Sequence, residues 1–322
     1  MGAAGPTKVS VVVCTYNHAP FIDQALASVL GQDTSFRFEV IVSEDCSTDA
    51  TRDIVLRWQD EHPDRIRLLL SERNLRSNEV VARGFRAATG EYVALLDGDD
   101  YWTSPQKLQR QADFLDAHLE CALCFHDAEV VDDAGRSIDG RRWTPANQKR
   151  LSTLEDIWFG NFIATCSTMF RRSAMADIPA WYADFFPITD WPLYILCAEH
   201  GDIGYLPEVM GAYRLHERGL YSPLSTAEKL RATDRFYRRM NERTAYRHDA
   251  VARRAHRRFF LDWAHEHLAR GAPALARLCV RLSLGYGMPR RAGELAETLR
   301  VGLAAHTPFG RPRAVRKTEA GA

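Results

Sequence analysis

The chain has no apolar run approaching the ~20 residues a membrane helix requires, and its early run at 9–14 (VSVVVC) is too short and too poor in flanking basic residues for a signal-peptide core. The expected compartment is therefore the cytoplasm, with the inner face of the membrane as the one peripheral alternative. Net charge is absent as well, with 42 Lys and Arg against 42 Asp and Glu. No recognised nucleic-acid motif accompanies the basic residues, so a nucleic-acid partner is not expected. The seven cysteines fall at irregular spacings. Cys121 and Cys124 have C-x-x-C spacing, but no second Cys or His pair completes a zinc set. Cys14, Cys121, Cys124 and Cys166 lie in apolar, strand-like stretches that suit reduced, buried thiols. Glycine is missing where dinucleotide-binding proteins need it: the first strand runs into Thr15-Tyr16-Asn17-His18-Ala19-Pro20, not a glycine-rich loop. That counts against a dinucleotide-dependent oxidoreductase. The lack of a Gly-rich or Lys/Arg-rich phosphate loop there also counts against a nucleotidyltransferase. No internal repeat is present.

What the first hundred residues do contain is strand and helix in alternation. Residues 9–14, 38–43 (FEVIVS), 66–70 and 92–96 (YVALL) read as buried parallel strands. Helical periodicity occupies 21–30, a stretch from Ser47-Thr48-Asp49 to about Trp58, and 80–88 ahead of Gly90. Such alternation implies a parallel sheet with right-handed crossovers, whose ligands bind beyond the carboxyl ends of the strands. Three strand ends carry polar residues: Thr15-Tyr16-Asn17, Glu44-Asp45-Cys46-Ser47 and Asp97-Gly98-Asp99-Asp100. They should meet at one mouth. The second half reads as a helix over 105–118, strands over 121–131 and 162–171, a helix over 191–198 and a strand over 203–213.

The carboxylates of Asp97, Asp99 and Asp100 are hard ligands suited to Mg²⁺ or Mn²⁺. A cation shared with a diphosphate would make a nucleoside diphosphate a better leaving group. A solvated acidic turn is the plainer alternative, but here the cluster caps a strongly apolar strand and is followed by Tyr101-Trp102.

The blocks VSVVVCTYNHAPFIDQALASVLGQ, FEVIVSEDCSTDAT and ATGEYVALLDGDDYWTSPQKL, in this order and spacing, resemble the family 2 glycosyltransferases. The resemblance spans residues 9 to about 125, thins over 126–220 and does not reach the rest. It implies a GT-A fold, an α/β architecture with a Rossmann-like, mostly parallel central sheet flanked by helices. It also implies a metal-dependent, inverting transfer of a hexose from a UDP- or dTDP-sugar to a hydroxyl of a glycan, lipid-linked glycan or natural product. By the resemblance Thr15, Tyr16 and Asn17 line the nucleotide pocket, with the Tyr16 ring against the base. Asp45 accepts from a base N–H, and Asn74 lies in a segment facing the nucleotide. Asp97 and Asp99 approach the nucleotide sugar, and Asp99 and Asp100 approach the metal. Glu44 departs from the pattern, standing where many relatives have Asp. Thr189-Asp190-Trp191 resembles the family's acidic-residue-then-Trp motif, making Asp190 the expected catalytic base at a helix N-terminus; Asp184 and Glu199 are the fallbacks. Tyr213-Arg214-Leu215-His216 resembles the Tyr-Arg-x-His segment, with His216 on the metal or diphosphate and Arg214 adding charge to the donor site. A nucleotidyltransferase acting on sugar phosphates, or a non-catalytic nucleotide-sugar-binding module, remains the alternative.

The expected division is a catalytic domain over 1–222, with a nucleotide-binding half at about 8–103 and an acceptor half at about 104–222, followed by a basic helical extension over 223–322. From Pro223 onward there are about 21 Lys and Arg against about 9 Asp and Glu, so the preceding part carries the balancing negative charge. Helical spacing runs from Thr226 to about Arg270, over 272–284 and over 291–305, and the last dozen residues read as disordered. Arg253, Arg254, Arg257 and Arg258 form a cationic ridge one helical turn long. Packing within the chain or in a homodimer is favoured for it over contact with an anionic membrane.

Overall fold

The computed structural model describes residues 5–216, 224–287 and 292–306; the expected disordered tail lies outside them. They form two compact units, one of residues 5–157 and 162–216, the other of 158–161 and the helices beyond 224.

The first unit contains β1 (Val9–Thr15), α1 (Ile22–Leu30), β2 (Phe38–Glu44), α2 (Thr51–Glu61), β3 (Ile66–Leu70), α3 (Glu79–Ala87), β4 (Tyr92–Asp97) and the short β5 (Tyr101–Trp102). It continues with α4 (Lys107–Ala117), β6 (Cys121–Val131), β7 (Ser137–Arg142), β8 (Leu151–Ser152), the start of α5 (Leu154–Phe159), β9 (Thr168–Arg171), α6 (Asp190–Ala198) and β10 (Asp202–Arg214). One sheet runs in the order β3-β2-β1-β4-β9-β6-β10-β5, with β7 on β6 and β8 on β10. The continuous apolar strands β1, β2 and β4 are buried on both faces and pair in parallel, as their composition requires. Their register sets up the site. Thr15 lies opposite Glu44, and Cys14 opposite Asp97, so all three chains leave the sheet at one level.

Helix α3 packs against β1 at a position only glycine can occupy, since a Cβ on Gly84 would lie 2.4 Å from Val12 Cγ1. A helix-interior glycine costs about 1 kcal/mol relative to alanine, less than the 1–3 kcal/mol of overpacking the seam.

The sheet is mixed. Strand β9 runs antiparallel to both β4 and β6. It is also shorter than the sequence predicts, because residues Thr165–Ser167 form a 3₁₀ turn first. There Ser167 Oγ donates to Ala164 O at 2.7 Å, and Thr168 Oγ1 donates to Thr165 O at 2.9 Å. Hydroxyls bonding back to nearby carbonyls compete with the strand ladder, and apolar periodicity does not report them.

At the start of α4, Lys107 is wholly buried. Its Nζ donates to Thr168 O at 3.2 Å and lies 4.0 Å from the centre of the Trp102 ring. Burial pulls its pKa down to about 7 despite the opposing influence of Cys124 and Cys166. Between pH 7 and about 10.4 the unfolded chain therefore binds a proton that the folded chain does not, and stability rises with pH across that window. Urea unfolding should show the parent gaining stability relative to Lys107→Met from pH 7 to 10, with a constant difference below pH 7. A difference independent of pH would contradict a depressed Lys107.

The second unit contains α7 (Thr226–Arg243), α8 (Asp249–Ala269), α9 (Pro273–Gly285) and α10 (Ala292–His306). They close on a small core of Leu230, Phe260, Ala264, Leu278, Cys279 and Val301. The one long helix expected over 226–270 is two. Ala245 and Tyr246 turn left-handed, at φ 52° and 59°, and Thr244 Oγ1 donates to Met240 O and Asn241 O. No Gly or Pro marks that break. Within the expected cationic ridge, Arg253 pairs with Asp249, Arg257 with Glu294 and Arg258 with Asp262, all inside this unit. All seven cysteines are free thiols, six of them buried. Among the described residues no helix is long and apolar enough to cross a membrane.

Candidate active site

The mouth is built from three strand ends. Beyond β1, Asn17 turns left-handed at φ 56°. Its N–H donates to Ser47 Oγ at 3.0 Å and its Oδ1 accepts from Thr48 N at 2.8 Å. The side chain expected to line the pocket therefore ties the loop after β1 to the loop after β2. Tyr16 is half-buried between Thr15 and this clamp. Asp45 does not cap α2. Its Oδ1 accepts from Ser71 Oγ and Leu75 N, both at 3.0 Å, which draws the 71–76 segment to the same mouth. Asn74 Oδ1 accepts from Arg76 N at 2.8 Å, so it shapes that segment's turn.

Two residues beneath this wall carried no assignment from sequence. Arg83 donates to Ser43 Oγ, Ser71 Oγ, Glu44 O and Leu69 O at 2.8–2.9 Å. Glu44 is fully buried, accepting from Ser47 N at 2.5 Å and Arg52 Nε at 2.7 Å. The longer glutamate thus spans to the next loop and does not enter the mouth.

The acidic cluster divides its labour. Asp97 ends β4, and burial pushes its pKa up to about 8, with the nearby Asp99 and Asp190 carboxylates adding to the effect and a Thr165 hydrogen bond opposing it. Asp99 is also partly buried, yet its pKa is held below the usual range because His18 and His216 lie against it. His216 Nε2 is 2.9 Å and His18 Nε2 3.5 Å from the same Oδ2. Asp100 points elsewhere. Its Oδ1 accepts from Arg214 N at 2.8 Å, and burial together with Asp99 and Asp97 pushes its pKa well up, despite a Cys166 contact that lowers it. Arg214 is buried and its guanidinium is committed to the protein. It donates to Asp99 O, Asp132 O, Asp133 O and Gln24 Oε1, with Phe21 and Tyr101 rings at 4.7 and 5.3 Å. Its charge supports the 97–100 loop from behind.

Of the three residues expected at a cation, the structure brings Asp99 and His216 together and turns Asp100 away. Among the described residues, no three His, Cys, Asp or Glu side chains form a ready-made metal cluster. Two ligands nevertheless fit the chemistry. Mg²⁺ and similar ions commonly take one or two protein groups and complete their shell with water and substrate phosphates. Adjacent ligands of an octahedral ion with bonds of 2.0–2.1 Å lie about 3 Å apart, which is the Asp99–His216 separation. Among the described residues the buried His216 Nδ1 has no hydrogen-bond partner, which leaves this imidazole able to change tautomer.

Asp190 is the first residue of α6, and its Oδ1 accepts from Trp191 N at 2.7 Å. Tyr182 OH donates to Thr189 O, and Trp191 Nε1 to Ile157 O, both at 2.7 Å, fixing the start of this helix. The Asp190 carboxylate is near enough to Asp97 to raise that group's pKa. Sequence reasoning treated His18 only as part of a turn; the one local sign of its importance is the glycine in Asp97-Gly98-Asp99, across which its ring lies.

A twisted α/β sheet with helical C-terminal elements and an acidic mouth at its strand ends defines a GT-A architecture. It matches Staphylococcus aureus TarS (residues 1–349, in complex with UDP-GlcNAc) with a TM-score of 0.63, at 19% identity over 93% of this chain and 90% of that one. The Pyrobaculum calidifontis mannosyltransferase PcManGT, in complex with GDP-Man and Mn²⁺, gives 0.55 at 20% identity, over 95% and 84%. The family model for Glycosyl transferase family 2 matches residues 10–178, just over half the chain, and the chain belongs to that family. An uncharacterized protein of Mycobacterium tuberculosis is 37% identical over 214 residues, 66% of this chain and 60% of that protein's own length.

Proposed function

We propose that this protein transfers a sugar from a nucleotide-sugar donor to an acceptor hydroxyl with inversion, as a metal-dependent hexosyltransferase. The observation that carries the reading is the convergence of Asp45 after β2, Asp97 and Asp99 at the end of β4, His216 after β10 and Asp190 at the start of α6, four separate parts of the chain, on one mouth. The 45–48 and 71–76 loops bind the nucleoside, with Tyr16 and Asp45 toward the base. The base is most simply uracil or thymine, whose N3–H suits the Asp45 carboxylate; the relatives that carry UDP-GlcNAc and GDP-Man leave guanine as the competing case. Asp99 and His216 hold Mg²⁺ or Mn²⁺, which when bound offsets charge on the departing diphosphate. Asp97 lies on the sugar side of the pair. Asp190 takes the proton of the attacking hydroxyl, and one base suffices for a single displacement through an oxocarbenium-like state. The acceptor is a hydroxyl of a glycan, lipid-linked glycan or small natural product.

A thermal-shift panel of UDP-, dTDP- and GDP-sugars, with and without Mn²⁺, tests this. One donor should raise the melting temperature in a concentration-dependent way, and more so with Mn²⁺. No shift with any donor would remove the nucleotide-sugar reading.

A further inference from the structure

We infer that His18 is a positioning residue of the donor site, holding the Asp99 carboxylate in the orientation that receives the cation; this rests on the nucleotide-sugar reading above. Three independent features place its ring. First, its backbone is locked, because the His18 carbonyl accepts from both Phe21 N and Ile22 N at 2.9 Å, and the next amide, Ala19 N, donates to Asp49 Oδ2 at 3.1 Å. Second, the ring spans the mouth: Nδ1 lies 3.3 Å from Thr15 Oγ1 and Nε2 lies 3.5 Å from Asp99 Oδ2. The tautomer with Nε2 protonated suits both ends, with Nδ1 accepting from Thr15 O–H and Nε2–H facing Asp99 in an electrostatic contact longer than a hydrogen bond. Third, the loop leaves room for it. A Cβ on Gly98 would stand 2.9 Å from His18 Nδ1 and 2.7 Å from Thr15 Oγ1. The glycine between Asp97 and Asp99 is thus required by the His18–Thr15 pair.

The consequence is directional. His216 and His18 approach the same oxygen of Asp99 from different elements. When His216 Nε2 turns to a cation, it ceases to donate to Asp99. His18 is then the remaining imidazole against that carboxylate, in electrostatic contact at 3.5 Å. Hydrogen-bond partners of metal-binding carboxylates typically contribute 10–100-fold to metal affinity, and the long 3.5 Å contact points to the lower end.

The test is calorimetry of the whole chain with UDP and with GDP across a MnCl₂ series, using the parent, His18→Ala and His18→Gln. The Gln side-chain amide can place an N–H near the position of Nε2, and the His18 side chain is 18% exposed. His18→Ala should raise the Mn²⁺ concentration for half-maximal nucleotide binding about tenfold, leaving cation-free binding and the ligand-free melting temperature unchanged. His18→Gln should recover to within about threefold of the parent. The inference is overturned if alanine matches the parent within twofold, if glutamine is as weak as alanine, or if alanine weakens binding equally with and without Mn²⁺. A parent that binds neither nucleotide would instead overturn the donor-site reading, and this inference with it.

Discussion

Asp190→Asn should lower kcat by about 10²–10⁴-fold, the range for removing a general base, while the melting-temperature rise produced by donor and Mn²⁺ persists. The amide keeps the local fold, because its oxygen can still accept from Trp191 N as the carboxylate does at 2.7 Å. Only the capacity to take a proton is lost. The fallback candidates are placed less well. Glu199 caps the opposite end of the nine-residue helix α6, roughly 13 Å along its axis at 1.5 Å per residue. Asp184 lies in the Ala180–Phe185 turn that precedes the helix, whereas Asp190 opens the helix and its carboxylate raises the Asp97 pKa. Progress curves under saturating donor would decide the matter. Parent-like turnover by Asp190→Asn would remove it as base, and loss of turnover in Asp184→Asn alone would transfer the role.

The nucleotide half of the site was legible in sequence because β1, β2 and β4 are largely apolar runs ending abruptly in polar residues, whereas β3, also expected to be buried, is the sheet's edge strand and keeps only Ile66 buried. Burial on both faces forces that pattern, and parallel pairing then aligns the ends. Thr15, Asp45 and Asp97 could be located at one mouth on those grounds alone. What was not legible was direction. Asp99 and Asp100 are adjacent and chemically identical, yet one faces two imidazoles while the other accepts from the Arg214 amide. Strand β10 decides this by delivering Arg214 and His216 from more than a hundred residues away, a pairing that no local period encodes. Arg214 itself looked like a free charge for the donor. Its four acceptors come from the loop after β4, the loop after β6 and helix α1, parts of the chain that no local pattern joins. The breaks at Thr165–Ser167 and at Ala245-Tyr246 were hidden for a related reason. Both are made by side chain-to-backbone or left-handed geometry in residues that composition counts as ordinary strand or helix formers.

That difference in direction has a measurable consequence. Asp99→Asn should weaken Mn²⁺-dependent nucleotide binding by about 100-fold or more, given that loss of outer partners alone typically costs 10–100-fold. An amide removes the anionic charge that the cation needs and presents an N–H to the two imidazoles, where Oδ2 had accepted. Asp100→Asn should behave differently. Burial beside Asp97 and Asp99 pushes the Asp100 pKa well up, and asparagine matches this side chain in size without its charge. Its oxygen can still accept from Arg214 N, as Asp100 Oδ1 does at 2.8 Å. Binding by that variant should stay within a few-fold of the parent, because the change keeps the hydrogen bond from Arg214 N and replaces an oxygen, Asp100 Oδ2, that already has no hydrogen-bond partner among the described residues. Calorimetry of both variants with UDP and GDP over a MnCl₂ series separates the possibilities. Equal, large losses would mean that both carboxylates ligate the ion and that Asp100 rotates out of its hydrogen bond on binding. Loss confined to Asp99→Asn would mean that the cation is held by one carboxylate, one imidazole and the phosphates it serves.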